Sequence, residues 1–181
     1  MANSLALVTG ASSGIGLSLA RELAARGYDL VVCSAGPRLA AAAQEFESLG
    51  VVVEEISANL ATPAGVDKLW QQIESLGRSL DVACLNAGVG VGGLFPETDL
   101  AEELNMVNLN CSGTVHLAKF VVRHMLKQKE GRILFTASIA GEMVAPREAV
   151  YAATKAFVLS FAHTLAGRPS MCACRLRTSA L

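Results

Sequence analysis

The sequence predicts an α/β domain built on a doubly wound parallel β-sheet with helices on both faces. Short apolar runs of strand length alternate with segments whose apolar residues recur at helical spacing, and this alternation occurs five times. Such alternation predicts parallel strands joined by right-handed crossovers, with ligands bound at the carboxyl ends of the strands. At 181 residues, the chain suffices for one domain with a substantial core.

Five apolar runs, rich in valine, leucine and isoleucine, mark the predicted strands. They comprise residues 5–8, 29–33, 51–56, 81–85 and 132–137. No internal repeat, linker or low-complexity segment interrupts the series. The chain is therefore expected to form one sheet.

The helices are predicted from the segments between these runs. Thr62 and Pro63 suit the cap and first turn of a helix. The long segment after the fourth strand shows a helical pattern with a break indicated near Glu102. The predicted helices comprise one that ends near Gly27, helices over about residues 38–49, 63–76 and 150–165, and the long segment that ends at Lys127 and Lys129.

Composition and charge argue against several classes of protein. Hydrophobic residues make up 52% and charged residues 17% of the chain, which suits a sheet covered on both faces or a surface buried in an oligomer. The net charge of -1 does not indicate the excess of positive charge that is typical of nucleic-acid-binding proteins. No apolar run approaches the roughly 18 residues that a membrane span needs, and the first strand leaves no room for a signal peptide. We therefore expect a cytoplasmic protein without nucleic-acid or membrane partners.

The five cysteines do not form a recognisable metal site. Cys33 and Cys84 lie in strand-like runs and Cys111 in a helical one, where a buried thiol is the ordinary arrangement. Cys172 and Cys174 offer two ligands without a second pair. We expect no metal.

A glycine-rich turn follows the first predicted strand and leads into the first helix, whose apolar pattern begins at Leu17. Glycines permit a sharp turn and let a phosphate approach backbone N–H groups, and the helix N-terminus adds unpaired N–H groups and a positive dipole end. A glycine-spaced string alone is also found in ordinary turns, but its position between a strand and a helix indicates a dinucleotide pyrophosphate site. The residues assigned to it are Gly10, Ser12, Ser13, Gly14, Ile15 and Gly16.

Ser138, Tyr151 and Lys155 form a second group of interest. Tyr151 and Lys155 are four residues apart in a predicted helix and therefore share one face. A neighbouring ammonium stabilises a phenolate, so the tyrosine could exchange a proton with a substrate oxygen while hydride moves to or from a nicotinamide. Ser138 follows the fifth strand, where its hydroxyl could hold the same oxygen. By itself, the Tyr-Lys spacing also describes an exposed helix pair without function.

Taken together, these motifs make the sequence resemble the short-chain dehydrogenase/reductase family as far as about Leu165. The matching segments are Thr9–Gly16, Asn86-Ala87-Gly88, Asn110, Ser138 and Tyr151–Lys155. The resemblance implies a Rossmann-type sheet with strand order 3-2-1-4-5. It also implies an NAD(P)-dependent oxidoreductase that acts on a small carbonyl or alcohol substrate.

The resemblance also implies roles for single residues. Tyr151 would be the general acid/base, and Ser138 would orient the substrate oxygen. Lys155 would hold the nicotinamide ribose and tune Tyr151, with Asn110 supporting a water relay to Lys155. An asparagine at position 110 could alternatively cap or bend a helix without any role in catalysis.

Several further positions bear on the cofactor. NAD-preferring members carry a carboxylate after the second strand, whereas this chain has Ser34 and Arg38 there, which mildly favours NADP over NAD. Asn59 replaces an aspartate that contacts adenine in many relatives. Asn86, Ala87 and Gly88 would line the adenine-ribose side of the cleft, although an asparagine before Ala-Gly is also common in turns.

Residues 167–181 depart from the family pattern. Family members continue with a sixth strand, a Pro-Gly turn, a substrate-covering segment and a seventh strand, and none of these is recognisable here. We therefore expect a domain over residues 1–166, an atypical tail over 167–181, and a truncated product whose C-terminal strands are missing or replaced. The fifth strand would become a sheet edge, unless the alternation of Cys172, Cys174 and Leu176 with other residues forms a short substitute strand.

Two functions follow from the sequence. The first is an active oxidoreductase. The alternative is a fragment that binds nucleotide or a partner subunit with little or no turnover. In either case, the long helix and the Tyr/Lys helix are expected to form a homo-oligomer, as they do in the family.

Overall fold

A computed structural model describes residues 3–167 and 177–180, and its described part contains a six-stranded sheet. The strands are β1 (Leu5–Thr9), β2 (Asp29–Ser34), β3 (Val53–Ser57), β4 (Val82–Leu85), β5 (Arg132–Phe135) and β6 (Arg177–Ala180). Their order is β3-β2-β1-β4-β5-β6, and every neighbouring pair is parallel. This arrangement confirms the predicted fold and the order 3-2-1-4-5 of the first five strands.

Helices connect the strands and cover both faces of the sheet. They are α1 (Gly14–Ala25), α2 (Leu39–Glu47), α3 (Pro63–Ser75), α4 (Leu100–Val107), α5 (Thr114–Gln128) and α6 (Ala149–Ala166). Thr62 caps α3 as predicted, since its hydroxyl accepts a hydrogen bond from the Gly65 N–H at 3.1 Å. A short 3₁₀ turn, Ile139–Gly141, lies between β5 and α6.

The sheet separates two hydrophobic cores because successive side chains of a strand point to opposite faces. Leu5 and Leu7 of β1 belong to the core beneath α3, α5 and α6. Ala6 and Val8, which alternate with them, belong to the core beneath α1 and α2. Burial on both faces explains why β1 and most of β2 are continuous apolar runs instead of alternating ones.

The predicted break near Glu102 is wrong. Glu102 lies in the first turn of α4, where its N–H donates to the capping carboxylate of Asp99 at 2.9 Å. The interruption lies further along, in a π-helical turn, Asn108–Gly113, between α4 and α5. A Cβ at Gly113 would collide with the Leu60 carbonyl oxygen, so the backbone packs closely there. The extra residue of the π turn lets the helix follow that contact.

The expectation that β5 is a sheet edge is also wrong, because β6 pairs with it in parallel from Arg132↔Arg177 to Phe135↔Ala180. A replacement strand, the alternative expected from the tail, is therefore present. It lies later in the chain than the pattern around Cys172, Cys174 and Leu176 suggested, and those three residues lie outside the described part of the chain.

Two element boundaries differ from the predicted ones. Helix α1 begins at Gly14 instead of near Leu17, so the second half of the glycine turn belongs to the helix. Strand β3 begins at Val53 instead of Val51, after the turn at Gly50. The first difference matters for function, because it brings the helix N-terminus up to the glycine turn.

One described helix, α6, is long and apolar enough to cross a membrane by length and composition alone. Its 18 residues have a mean hydropathy of 1.2, which corrects the expectation that no apolar run reaches such a length. The indication is weak because a helix packed against a sheet passes the same test. Val158 and Ala162 of α6 are buried in the core beneath α3, α5 and α6.

Candidate active site

A cleft of about 890 Å³ opens at the carboxyl ends of the central strands. The loops after β1, β2, β4 and β5 and the first turns of α1 and α6 contribute to its walls. This is the position at which open parallel sheets bind ligands, since the strand order reverses there. Most of the residues predicted to bind cofactor or substrate line this cleft.

The glycine turn forms one end of the cleft. Gly14 has φ +55°, and a Cβ built on it would meet no atom within 4 Å, so its backbone is open to a ligand. Ser13 stands at the N-cap position of α1, but its side chain makes no capping hydrogen bond. The first N–H groups of α1 therefore remain available to an anion. Gly16 does not line the cleft; it packs beneath the turn against the Gly10 carbonyl.

The loop after β2 joins the glycine turn through two hydroxyls. The Oγ atoms of Ser12 and Ser34 are 2.9 Å apart, and Ser34 Oγ also accepts a hydrogen bond from the Gly36 N–H at 3.3 Å. Arg38 is exposed, directly precedes α2 and does not line the cleft. Asn59 lines it, and its Oδ1 accepts from the Ala61 N–H at 3.0 Å.

A hydrogen-bond network ties the three central strands together beneath the cleft. Thr9 Oγ1 accepts hydrogen bonds from the N–H groups of Asn86 and Ala87, both at 3.0 Å. The Asn86 side chain donates to the Thr9 carbonyl at 3.0 Å and accepts from Thr136 Oγ1 at 2.9 Å. The network fixes the loop after β4 against β1 and β5. Thr9 and Thr136 were not among the residues that the sequence singled out.

Tyr151, Lys155 and Ser138 meet at the other end of the cleft. Lys155 Nζ lies 5.8 Å from the centroid of the Tyr151 ring and donates a hydrogen bond to the Thr136 carbonyl at 2.9 Å. Ser138 caps the 3₁₀ turn by accepting from the Ala140 N–H at 3.2 Å. The predicted sharing of one helix face by Tyr151 and Lys155 is confirmed by their common position on the cleft wall.

Asn110 lies behind the cleft wall, in the π-helical turn, and is 1% exposed. Its Oδ1 accepts from the Val89 N–H at 3.0 Å, and its Nδ2 donates to the Val89 carbonyl at 2.9 Å. Nδ2 also donates to Thr154 Oγ1 at 3.0 Å, and that hydroxyl donates to the Tyr151 carbonyl at 2.8 Å. Asn110 thus connects the loop after β4 to the helix that carries Tyr151.

Burial dominates the electrostatics of the site. It lowers the pKa of Lys155, an effect that the neighbouring Cys111 opposes. Burial also raises the pKa of Cys33 to about 12 and that of Cys84 to about 11, so both thiols stay protonated at neutral pH. Both are buried, as expected, whereas Cys111 is only partly buried.

The cleft fits an extended dinucleotide. One end offers backbone N–H groups and the hydroxyls of Ser12 and Ser13, and the other end offers Tyr151 and Lys155. The predicted residues that line it are Gly10, Ser12, Ser13, Gly14, Ile15, Ser34, Asn59, Asn86, Ala87, Gly88, Ser138, Tyr151 and Lys155. Glu148, which the sequence did not single out, lines it as well. Only its position three residues before Tyr151 could have indicated this.

Comparison with known proteins agrees with this geometry. Residues 4–169 match the family model described as short chain dehydrogenase. A 3-oxoacyl-(acyl-carrier-protein) reductase FabG of Staphylococcus epidermidis is 37% identical over 166 residues, which cover 91% of this chain and 68% of that protein. The chain therefore spans about two thirds of the length of this relative.

Two solved structures are also similar. L-sorbose reductase of Gluconobacter frateurii, complexed with NADPH and L-sorbose, superposes with a TM-score of 0.89 at 31% identity, covering 98% of this chain and 68% of that one. A xylitol dehydrogenase with bound NAD⁺ superposes with a TM-score of 0.88 at 26% identity, covering 99% and 69%. The similarity thus extends over nearly the whole chain.

Proposed function

Since the chain belongs to the short-chain dehydrogenase/reductase family of NAD(P)-dependent oxidoreductases, we propose that Tyr151 is its general acid/base. The substrate would be a small carbonyl compound or the corresponding alcohol. The observation that supports this most is the joint position of Tyr151, Lys155 and Ser138 at one end of a cleft that fits a dinucleotide. Relatives with bound NADPH or NAD⁺ support the expected NAD(P) cofactor.

The chemistry divides between cofactor and protein. Bound nicotinamide supplies or accepts the hydride. In the reducing direction, the Tyr151 hydroxyl gives its proton to the carbonyl oxygen, and in the oxidising direction it takes a proton from the alcohol. The Ser138 hydroxyl holds the same oxygen. Lys155 contributes a positive charge 5.8 Å from the tyrosine ring, which favours the phenolate that proton donation leaves behind.

Positioning of Lys155 depends on the strand network. The Thr136 carbonyl accepts from its ammonium at 2.9 Å, and Thr136 is itself fixed by Asn86. Lys155 can donate two further hydrogen bonds, which suits the ribose hydroxyls of a bound nicotinamide nucleotide. The same side chain would therefore hold the cofactor and support Tyr151.

Our proposal includes a preference for NADP(H). Ser34 closes the adenosine end of the cleft, and no carboxylate lines that end among the described residues. The hydroxyls of Ser12 and Ser34 share one hydrogen bond at 2.9 Å, so the hydroxyl that accepts this bond keeps its own proton as a donor suited to a 2′-phosphate. Because Arg38 lies outside the cleft wall, we expect its charge to contribute little to binding.

The second candidate function is nucleotide or partner binding with little turnover. It is a candidate because the cleft offers a nucleotide site whether or not hydride transfer is fast. Incomplete exclusion of water would slow hydride transfer without preventing cofactor binding. Cofactor binding and turnover therefore have to be measured separately.

Titration of the chain with NADPH and NADH, followed by nicotinamide fluorescence, tests the proposed cofactor site. We expect saturable binding that is tighter for NADPH. A chain that binds neither nucleotide would contradict the proposed function. Binding without reduction of any carbonyl compound in a broad panel would instead support the second candidate.

We also propose that the chain forms a homo-oligomer through α4–α5 and α6. Large apolar side chains are exposed on these helices, including Leu100, Leu104 and Phe157. Sedimentation velocity would show a dimer or larger species, which the double variant Leu104→Glu/Phe157→Glu should dissociate. The sequence boundary between a domain over residues 1–166 and a tail over 167–181, with β6 of the tail pairing with β5 of the domain, remains part of this proposal, as does a cytoplasmic location.

A further inference from the structure

Glu148 is the one carboxylate that lines the cleft within the described part of the chain. The other charged residue on its walls is Lys155, whose ammonium is directed to the Thr136 carbonyl at 2.9 Å. The part of the loop after β4 that lines the cleft, residues 86–92, is uncharged and contains Gly90 and Gly92. Glu148 is therefore the exposed negative charge on this part of the cleft wall, whereas Lys155, the positive charge, is buried.

The position of Glu148 relative to Tyr151 follows from the start of α6. Glu148 is the N-cap residue of α6 and stands three residues before Tyr151, so both lie at the same end of the helix. Its side chain is exposed, and no hydrogen-bond or ion-pair partner for its carboxylate exists among the described residues. The carboxylate is thus available to a ligand.

The helix dipole does not cancel this charge. A helix N-terminus carries about half a positive elementary charge, whereas an ionised carboxylate carries a full negative one. Gly90 packs against the Tyr151 ring, where an added Cβ would lie 3.4 Å from Tyr151 Cδ2, so residue 90 places no side chain in the cleft there. Since Tyr151 and Glu148 line the same cleft, we expect a substituent on a carbonyl compound held at Tyr151 to lie near Glu148.

We propose that Glu148 determines the charge preference for the substrate, so that the site favours carbonyl compounds carrying a cationic ammonium group over compounds carrying a carboxylate. This inference rests on the proposed function, because it assumes that the carbonyl binds at Tyr151. Ion pairs at exposed positions are weak, so the effect on each charged compound is expected to be about 2- to 5-fold. It should decrease at high ionic strength.

A matched set of three para-substituted acetophenones tests the proposal. The trimethylammonium compound is cationic, the tert-butyl compound is its neutral isostere, and 4-acetylbenzoate is anionic. The value of kcat/KM for each, relative to the neutral ketone, is measured with NADPH for the wild type and Glu148→Gln. Comparing the same ratios between proteins cancels the intrinsic reactivity of each ketone.

Glu142→Gln is the matched control. It removes the same charge from an exposed residue in the same segment, but Glu142 does not line the cleft. We expect Glu148→Gln to lower the cation-to-anion ratio of kcat/KM about 5- to 10-fold, and Glu142→Gln to leave it within 2-fold. An unchanged ratio in Glu148→Gln, or equal changes in both variants, would overturn the proposal.

Failure of the proposed function gives a different result. In that case, the wild type reduces none of the three ketones. The dissociation constants of the cationic and anionic ketones, measured by calorimetry with NADP⁺ present, then decide the inference. A cation preference that Glu148→Gln removes would support it, and equal binding of both ketones to the wild type would contradict it.

Discussion

The side-chain amide of Asn110 donates a hydrogen bond to the hydroxyl of Thr154 at 3.0 Å. Asn110 belongs to the π-helical turn between α4 and α5, and Thr154 lies between Tyr151 and Lys155 on α6. The Thr154 hydroxyl donates onward to the Tyr151 carbonyl at 2.8 Å. This chain of bonds joins the loop after β4, the π-helical turn and the proposed catalytic helix.

Thr154→Val removes this connection while keeping the shape of the side chain. The buried Asn110 amide would lose one acceptor, which we expect to cost about 1–3 kcal/mol of unfolding free energy. Turnover should fall several-fold, because the first turn of α6 loses a support. Urea denaturation and steady-state kinetics measure the two effects. Thr154→Ser keeps the hydroxyl and serves as the control, so equal losses in both variants would show that the hydrogen bond is unimportant.

Gly16→Ala tests the packing beneath the phosphate-binding turn. The added methyl group would collide with the Gly10 carbonyl oxygen, so either the turn or α1 must move. We expect the unfolding free energy to fall by about 1–3 kcal/mol and the dissociation constant of NADPH to rise more than 10-fold. Gly36→Ala is a suitable stability control, since its Cβ would meet only Ser34 Oγ at 3.9 Å. Wild-type affinity in Gly16→Ala would contradict the proposed pyrophosphate site.

Asp29 gives the fold a dependence on acid pH. Burial raises its pKa, but hydrogen bonds from the Val52 N–H, Asn3 and Arg78 outweigh this effect and hold the pKa below its usual value. Arg78 also forms an ion pair with Asp29 at 2.8 Å. Because the pKa is lower in the folded than in the unfolded chain, the stabilisation is present above the unfolded value of about 3.9. It is lost as the pH falls through the folded value.

We therefore expect Asp29→Asn to lower the unfolding free energy by about 2 kcal/mol at pH 7 and by less near pH 3, which lies below the unfolded pKa of about 3.9. Denaturant unfolding at a series of pH values measures this difference. Glu45→Gln, which removes an exposed partner of Arg21, should change stability little at either pH. A pH-independent difference between Asp29→Asn and the wild type would disprove the assigned role of the Asp29 charge.

The sheet and most of the candidate site could be predicted because their signals are local. The strands around Leu7 and Val31 are continuous apolar runs, and the glycine turn lies next to the first of them. The spacing of four residues between Tyr151 and Lys155 likewise places both side chains on one face of a helix, whatever the rest of the chain does. Such features are encoded within a few residues, so the sequence specifies them directly.

Other features depend on contacts between distant segments. At the π-helical turn, Val89 hydrogen-bonds Asn110 and the Leu60 carbonyl lies close to Gly113, and neither contact is visible in the local helical pattern. Strand β6 depends on pairing with β5 and not on a strong pattern of its own. The role of Glu148 emerges only when the loop after β4 is folded against α6.

The substitution Tyr151→Phe tests the assigned chemistry most directly. It removes the hydroxyl that would carry the proton and leaves the ring that lines the cleft. Tyr28→Phe is the matched control, because Tyr28 packs against the core beneath α1 and α2, away from the cleft.

The measurement is kcat for NADPH-dependent ketone reduction, together with the dissociation constant of NADPH. We predict a loss of roughly 10²- to 10⁴-fold in kcat for Tyr151→Phe, with NADPH affinity within about 3-fold of the wild type. Turnover in Tyr151→Phe equal to that of Tyr28→Phe would contradict the assignment of Tyr151 as the general acid/base.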